Sequence, residues 1–98
     1  MAADTSGAAR RGEIKSQLRQ YILRELVRNA AYPLRDDEAM ISGGLIDSFS
    51  LAQIGVFIEE AFDIYLPDSD LTVAQMDSLE MMVDQVLRHD PSAKASSQ

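Results

Sequence analysis

The chain has 98 residues, 46% of them hydrophobic, a formal charge of −7 and no cysteine. That length supports one hydrophobic core, and the lack of cysteine removes disulfides, thiol nucleophiles and thiolate metal sites. The charge is unevenly placed: residues 1–35 carry seven basic and three acidic side chains, residues 36–98 two basic and thirteen acidic. The acidic part would repel a phosphate backbone, so nucleic acid is not an expected partner, whereas proteins with basic docking patches are. No apolar run reaches the roughly 18–20 residues of a membrane span, and the first residues lack the apolar centre of a signal peptide. A soluble, cytoplasmic domain without membrane insertion is the expectation.

Residues 1–11 are small and polar and read as a flexible N-terminal tail, 12–90 as the folded domain, and 91–98 as a second flexible tail. Ile14, Leu18, Tyr21, Ile22 and Leu26 recur at three- and four-residue steps, which predicts a first helix over 13–29. Arg19, Arg24 and Arg28 fall off that stripe and are expected in water. Pro33 prevents continuation. Residues 31–47 form a long connection that includes Gly43-Gly44, and loops of that length are usually disordered or functional.

A second helix is predicted over 48–62, with Leu51, Ile54, Ile58, Ala61 and Phe62 facing inward and Gly55 permitting close helix approach. A short third helix is predicted over 68–75. Asp77 as a cap, with Glu80 reaching back, opens a last helix whose apolar face is Leu79, Met82, Val83, Val86 and Leu87. The predicted fold class is all-α: a small four-helix bundle with three principal helices and one short one.

Most catalytic chemistry lacks its parts. His89 is the only imidazole, which leaves no serine triad and no zinc ligand set, and its place favours an exposed helix end. Asp36-Asp37-Glu38 and Asp68-Ser69-Asp70 miss the spacing of a calcium loop. Glu59 and Glu60 are neighbours on a helix and point about 100° apart, so they do not converge on one substrate. Met76, Met81 and Met82 read as core. An enzyme in its own right is not expected.

What stands out is Gly44-Leu45-Ile46-Asp47-Ser48-Phe49-Ser50, which ends the long connection and opens the second helix. Asp47 or Ser48 is a natural N-cap. The same helix start, with unpaired N–H groups and the positive end of the dipole, also favours a phosphate attached to an exposed serine. Leu45-Ile46-Asp47-Ser48-Phe49 resembles the Asp-Ser-Leu prosthetic-group motif of acyl carrier proteins. Phe62-Asp63-Ile64-Tyr65-Leu66-Pro67, beginning fourteen residues after Ser48, resembles that family's Phe-Asp-Ile-x-Ile-Pro ending. The similarity spans roughly residues 13–90.

The resemblance implies a four-helix bundle of acyl-carrier type with 4′-phosphopantetheine, taken from coenzyme A, on Ser48, and with Asp47 assisting recognition. It implies a non-catalytic phosphoprotein that carries acyl or aminoacyl groups as thioesters. The implied partners are a Mg²⁺-dependent phosphopantetheinyl transferase, an acyl- or aminoacyl-activating ligase, and downstream acyl-using enzymes. The implied docking face holds Phe49, Ala52, Gln53, Val56, Glu59 and Glu60. Three features depart from the fatty-acid carriers: Ser50 and Gln53 stand where acidic residues are usual, and Phe49 replaces leucine. These features and the short tails suggest a freestanding, monomeric carrier of a specialised pathway that makes brief complexes. The alternative from composition alone is a non-covalent acidic helical adaptor.

Overall fold

A computed structural model describes the backbone of residues 2–90 and the side chains of residues 9–90. The expected C-terminal tail, 91–98, lies outside the described residues. Among these residues the regular structure is entirely helical.

Helix α1 runs Ala2–Tyr21 and continues without interruption into a wider, i→i+5 bonded segment, Ile22–Val27. It begins eleven residues ahead of Glu13, so stretch 2–11, expected as tail, has helical backbone. Ala2, Ala3, Ala8 and Ala9 favour helix without leaving an apolar stripe, so periodicity could not reveal them. The helix also stops short of the expected residue 29. Arg28 turns left-handed (φ 61°) and donates its N–H to Leu23 O, and Asn29 Oδ1 accepts from Ala31 N–H at 3.1 Å. The widened turns rotate Leu23 inward beside Ile22, a position the 3.6-residue stripe had left out.

The connection to α2 is tied down rather than loose. Leu34, Met40 and Ile46 are buried and pin it to the core. Helix α2, Ser50–Phe62, starts two residues later than expected, because 47–51 first makes i→i+3 turns: Ser50 N–H donates to Asp47 O and Leu51 N–H to Ser48 O. Leu51, Ile54 and Ile58 are buried, but Ala61 is exposed and Phe62 half-buried. Asp63 is left-handed (φ 59°) and closes the helix there, so the inward stripe ends a turn early. Phe62 instead packs edge-on against Phe57, which stacks on Tyr21 at 4.4 Å.

Ile64 and Leu66 then drop into the core on either side of exposed Tyr65. The expected third helix is split: a 3₁₀ turn at Asp68–Asp70, a break at Leu71-Thr72, and α3 at Val73–Met76. Helix α4, Leu79–Arg88, is capped by Ser78, which accepts from Met81 N–H at 3.2 Å. The expected cap, Asp77, is engaged elsewhere. The core joins Ile14 and Leu18 of α1, Ile22 of the wider segment after it, Ile54 and Ile58 of α2, Met76 of α3, and Leu79, Met82, Val83 and Val86 of α4, all fully buried.

Most of the charge on α1 is spent within the molecule. Arg11, Lys15 and Arg19 follow at four-residue steps along one face. Arg11 pairs with Glu80 and Asp84, Lys15 with Glu80 and Asp36, and Arg19 with Asp36 and the Leu34 carbonyl. Arg19 is thus half-buried rather than fully solvated as expected. Lys15 and then Arg19 hold the Asp36 carboxyl below its ordinary range, and Arg11 and then Lys15 do the same for Glu80.

Candidate functional site

The segment before α2 is shaped by two glycines. Gly44 has φ +86°, which disfavours a side chain, and a Cβ at Gly43 would stand 2.2 Å from the Ala39 carbonyl oxygen. Gly44 N–H donates to Ile41 O at 3.1 Å and closes a turn. Met40 O then accepts from Leu45 N–H at 2.8 Å and Ile46 N–H at 3.0 Å, so the chain folds back over the buried Met40.

Asp47 is the residue that caps α2. Its Oδ1 accepts from Ser50 N–H at 3.1 Å and from Ser50 Oγ at 3.2 Å. Ser50 is buried by this arrangement. Ser48 is exposed, and its hydroxyl has no hydrogen-bond partner among the described residues. Of the two candidate caps, only Asp47 makes a capping bond, and Ser48 is left exposed.

Ser48 also lines an open cleft of about 640 Å³ with Leu26, Ile41, Leu45, Ile46 and Val73, which bring together the end of the first helix, the connection and α3. Asp47 and Ser50 also line this cleft, so its surface mixes polar and apolar groups.

The outward face of α2 leaves Phe49, Ala52, Gln53, Val56, Glu59 and Glu60 all exposed. Phe49 is 84% exposed and Val56 55%, so apolar surface lies next to the two carboxylates. Phe49 is therefore not packed against the connection that precedes it.

Asp77 was not recognisable from sequence as part of this site. Its Oδ1 accepts from Ile41 N–H at 2.8 Å and Ser42 N–H at 3.0 Å, its Oδ2 accepts from Ser42 Oγ at 2.5 Å, and its carbonyl accepts from Met40 N–H at 2.7 Å. The Ser42 hydroxyl and these two N–H groups hold the Asp77 carboxyl below its usual range. Two successive cap-type residues, Asp77-Ser78, were the only signal, and they do not say which one serves the helix.

Gly55 admits not a neighbouring helix but the side chain of Leu71, whose Cδ1 lies 2.9 Å from where a Cβ would be. His89 is half-buried rather than exposed, with Nε2 2.6 Å from Asp70 Oδ2. Met76 and Met82 are fully buried and Met81 half-buried, in keeping with the core reading. Glu59 and Glu60 remain separate and solvated. Among the described residues no three His, Asp or Glu side chains gather to hold a metal, and no helix is long and apolar enough to cross a membrane.

No protein-family model matches the chain, and comparison with curated proteins and with solved structures also returns no match.

Proposed function

We propose that this chain is a carrier protein of acyl-carrier type, modified on Ser48 with 4′-phosphopantetheine. The observation that carries the reading is the unengaged, exposed Ser48 hydroxyl at the start of α2, with the capping duty on Asp47. The motif around it, the small helical fold and the open cleft at its side support the same conclusion.

In this reading Ser48 Oγ attacks the β-phosphate of coenzyme A. The new P–O bond forms as 3′,5′-ADP leaves, and the hydroxyl proton passes to a base of the transferase, which also brings Mg²⁺. When bound, the arm supplies a terminal thiol, which the sequence itself lacks, and holds acyl or aminoacyl groups as thioesters. The chain's own residues present the serine and orient its backbone. The positive end of the α2 dipole favours the attached phosphate. Phe49 and Val56 serve as apolar anchors, and Glu59 and Glu60 steer basic partners. Ser50 is buried under the Asp47 cap, and Gln53 is neutral, so the start of α2 offers little charge to enzymes that read acids there. This favours a dedicated acyl- or aminoacyl-activating ligase, and a cytoplasmic monomer that forms brief complexes, over service to a fatty-acid synthase.

The test is intact-mass spectrometry after incubation with coenzyme A, Mg²⁺ and a broad-specificity phosphopantetheinyl transferase, with Ser48→Ala alongside. One added phosphopantetheinyl group on the wild type alone is expected. A folded wild type that stays unmodified while a control carrier is loaded overturns the reading. That outcome would favour the second one, a non-covalent adaptor, for which the exposed Phe49–Val56 surface is the supporting observation.

A further inference from the structure

We infer that Asp77 is a positioning residue for Ser48, fixing the direction in which the serine is presented to the enzyme that modifies it. The inference rests on the carrier reading of Ser48.

A series of hydrogen bonds leads from Asp77 to the residues just before Ser48. Asp77 sits directly after α3, whose last residue, Met76, is fully buried, and directly before Ser78, the α4 cap. It therefore belongs to the rigid junction of two helices. From that junction its carboxylate takes Ile41 N–H, Ser42 N–H and Ser42 Oγ, and its carbonyl takes Met40 N–H. Met40 passes the constraint on, since its own carbonyl takes Leu45 N–H and Ile46 N–H. Ile46 is buried, and the next residue, Asp47, caps α2 through Ser50. Ser48 comes one residue later.

Four acceptor contacts from one residue thus tie residues 40–42 to the α3–α4 junction. The only covalent route between these parts of the chain runs through α2 and the segment after it. Without the tie, the segment around Gly43-Gly44 would be held by its own short-range bonds and by the burial of Met40 and Ile46, with no hydrogen bond from residues 40–42 to the α3–α4 junction. The same tie links Ile41 to the junction that follows α3, and both Ile41 and Val73 of α3 line the cleft at Ser48. Glu80 N–H donating to Asp36 O at 3.0 Å is a second attachment of the connection, but it lies farther along the chain from Ser48.

Misplacing a reacting group by about 1 Å costs up to about 100-fold in rate. The docking face of α2 is untouched by Asp77, so binding of the transferase should survive its loss while turnover does not. Steady-state loading by the transferase is measured at varied carrier concentration for wild type, Asp77→Ala, Asp77→Asn and Ser78→Ala. Ser78→Ala removes the Met81 bond of α4 and none of the bonds to residues 40–42, so it reports what destabilisation alone does. Amide exchange at Ile41 and Ser42 is followed on the same proteins.

Asp77→Ala is expected to lower kcat about tenfold or more with KM for the carrier little changed, and to speed exchange at Ile41 and Ser42 while the α2 core amides stay protected. Asp77→Asn keeps an acceptor oxygen for both N–H groups and is expected to restore most of kcat. If Asp77→Ala does not fold, Asp77→Glu takes its place: it keeps the charge, displaces the carboxylate by one methylene, and is expected to lower kcat in the same way. Loading of the variant at the wild-type rate overturns the inference, as does an equal loss in Ser78→Ala. A wild type that takes no group overturns the carrier reading and this role with it, whereas a loaded wild type with an indifferent Asp77 overturns the role alone.

Discussion

Replacing Asp47 and Ser48 separately by alanine divides two duties that adjacent residues at a helix start are usually assumed to share. Asp47 Oδ1 accepts from both Ser50 N–H and Ser50 Oγ, so Asp47→Ala removes the α2 cap. Loss of an N-cap costs about 1 kcal/mol, within a range of about 0.5–2. Ser50 is buried, so leaving its hydroxyl without this acceptor adds to that cost by up to about 1 kcal/mol. A total of about 1–2 kcal/mol is expected, and each kcal/mol lowers the melting temperature of a domain this size by roughly 4–8 °C. Ser48 is exposed and its hydroxyl bonds nothing among the described residues, so Ser48→Ala should stay within about 0.5 kcal/mol of wild type. Urea unfolding followed by circular dichroism measures both variants, and the intact-mass assay is run on the same samples. Asp47→Ala is expected to be destabilised yet still loaded, and Ser48→Ala to be stable and never loaded. A Ser48→Ala variant that loses more than about 1 kcal/mol while Asp47→Ala loses nothing would refute the assignment of the cap.

Ile58 is fully buried, so Ile58→Ala should cost about 2–5 kcal/mol and lower the urea midpoint with an unchanged slope. Phe49→Ala removes a side chain that is 84% exposed, so the unfolding midpoint should hold while the KM of the transferase for the carrier rises; a lower midpoint with an unchanged KM would show Phe49 to be structural. Asp36, Asp77 and Glu80 have folded pKa values below their ordinary ones, so their contribution is complete above the unfolded values near 4 and is lost as the pH falls through the lower folded values. Urea midpoints measured downward from pH 5 should therefore fall below about pH 4, and Asp77→Asn should flatten part of that fall.

The helices were legible where an apolar stripe repeats, as at Ile14, Leu18 and Ile22 or at Leu79, Met82, Val83 and Val86, because packing against one core imposes that period. The exposure of the outward α2 face was likewise visible in its spacing. The rest depends on contacts that carry no period. Leu34, Met40 and Ile46 pin the connection one by one, and nothing in their spacing separates them from apolar residues of a loose loop. Arg19 looked solvated because it falls off the apolar stripe, yet its partners, Asp36 and the Leu34 carbonyl, come from the connection. Asp77 and Ser78 both suit a cap, and only the approach of Ile41 and Ser42 assigns Asp77 to the loop. The α1 extension from Ala2 was not legible because residues 2–11 carry helix-favouring alanines but no apolar stripe in the sequence.

Gly55 and Leu71 divide a single methyl-sized volume between them. A methyl group at position 55 would meet the far end of a flexible, partly exposed side chain rather than backbone, so Leu71 can turn outward to admit it. Trimming Leu71 would open the same space from the other side, and the two changes made together should offset each other instead of adding. Among descendants of this sequence, the residues at 55 and 71 are then free to drift as a pair, one growing as the other shrinks, while the fully buried positions around them stay fixed by their neighbours on every side.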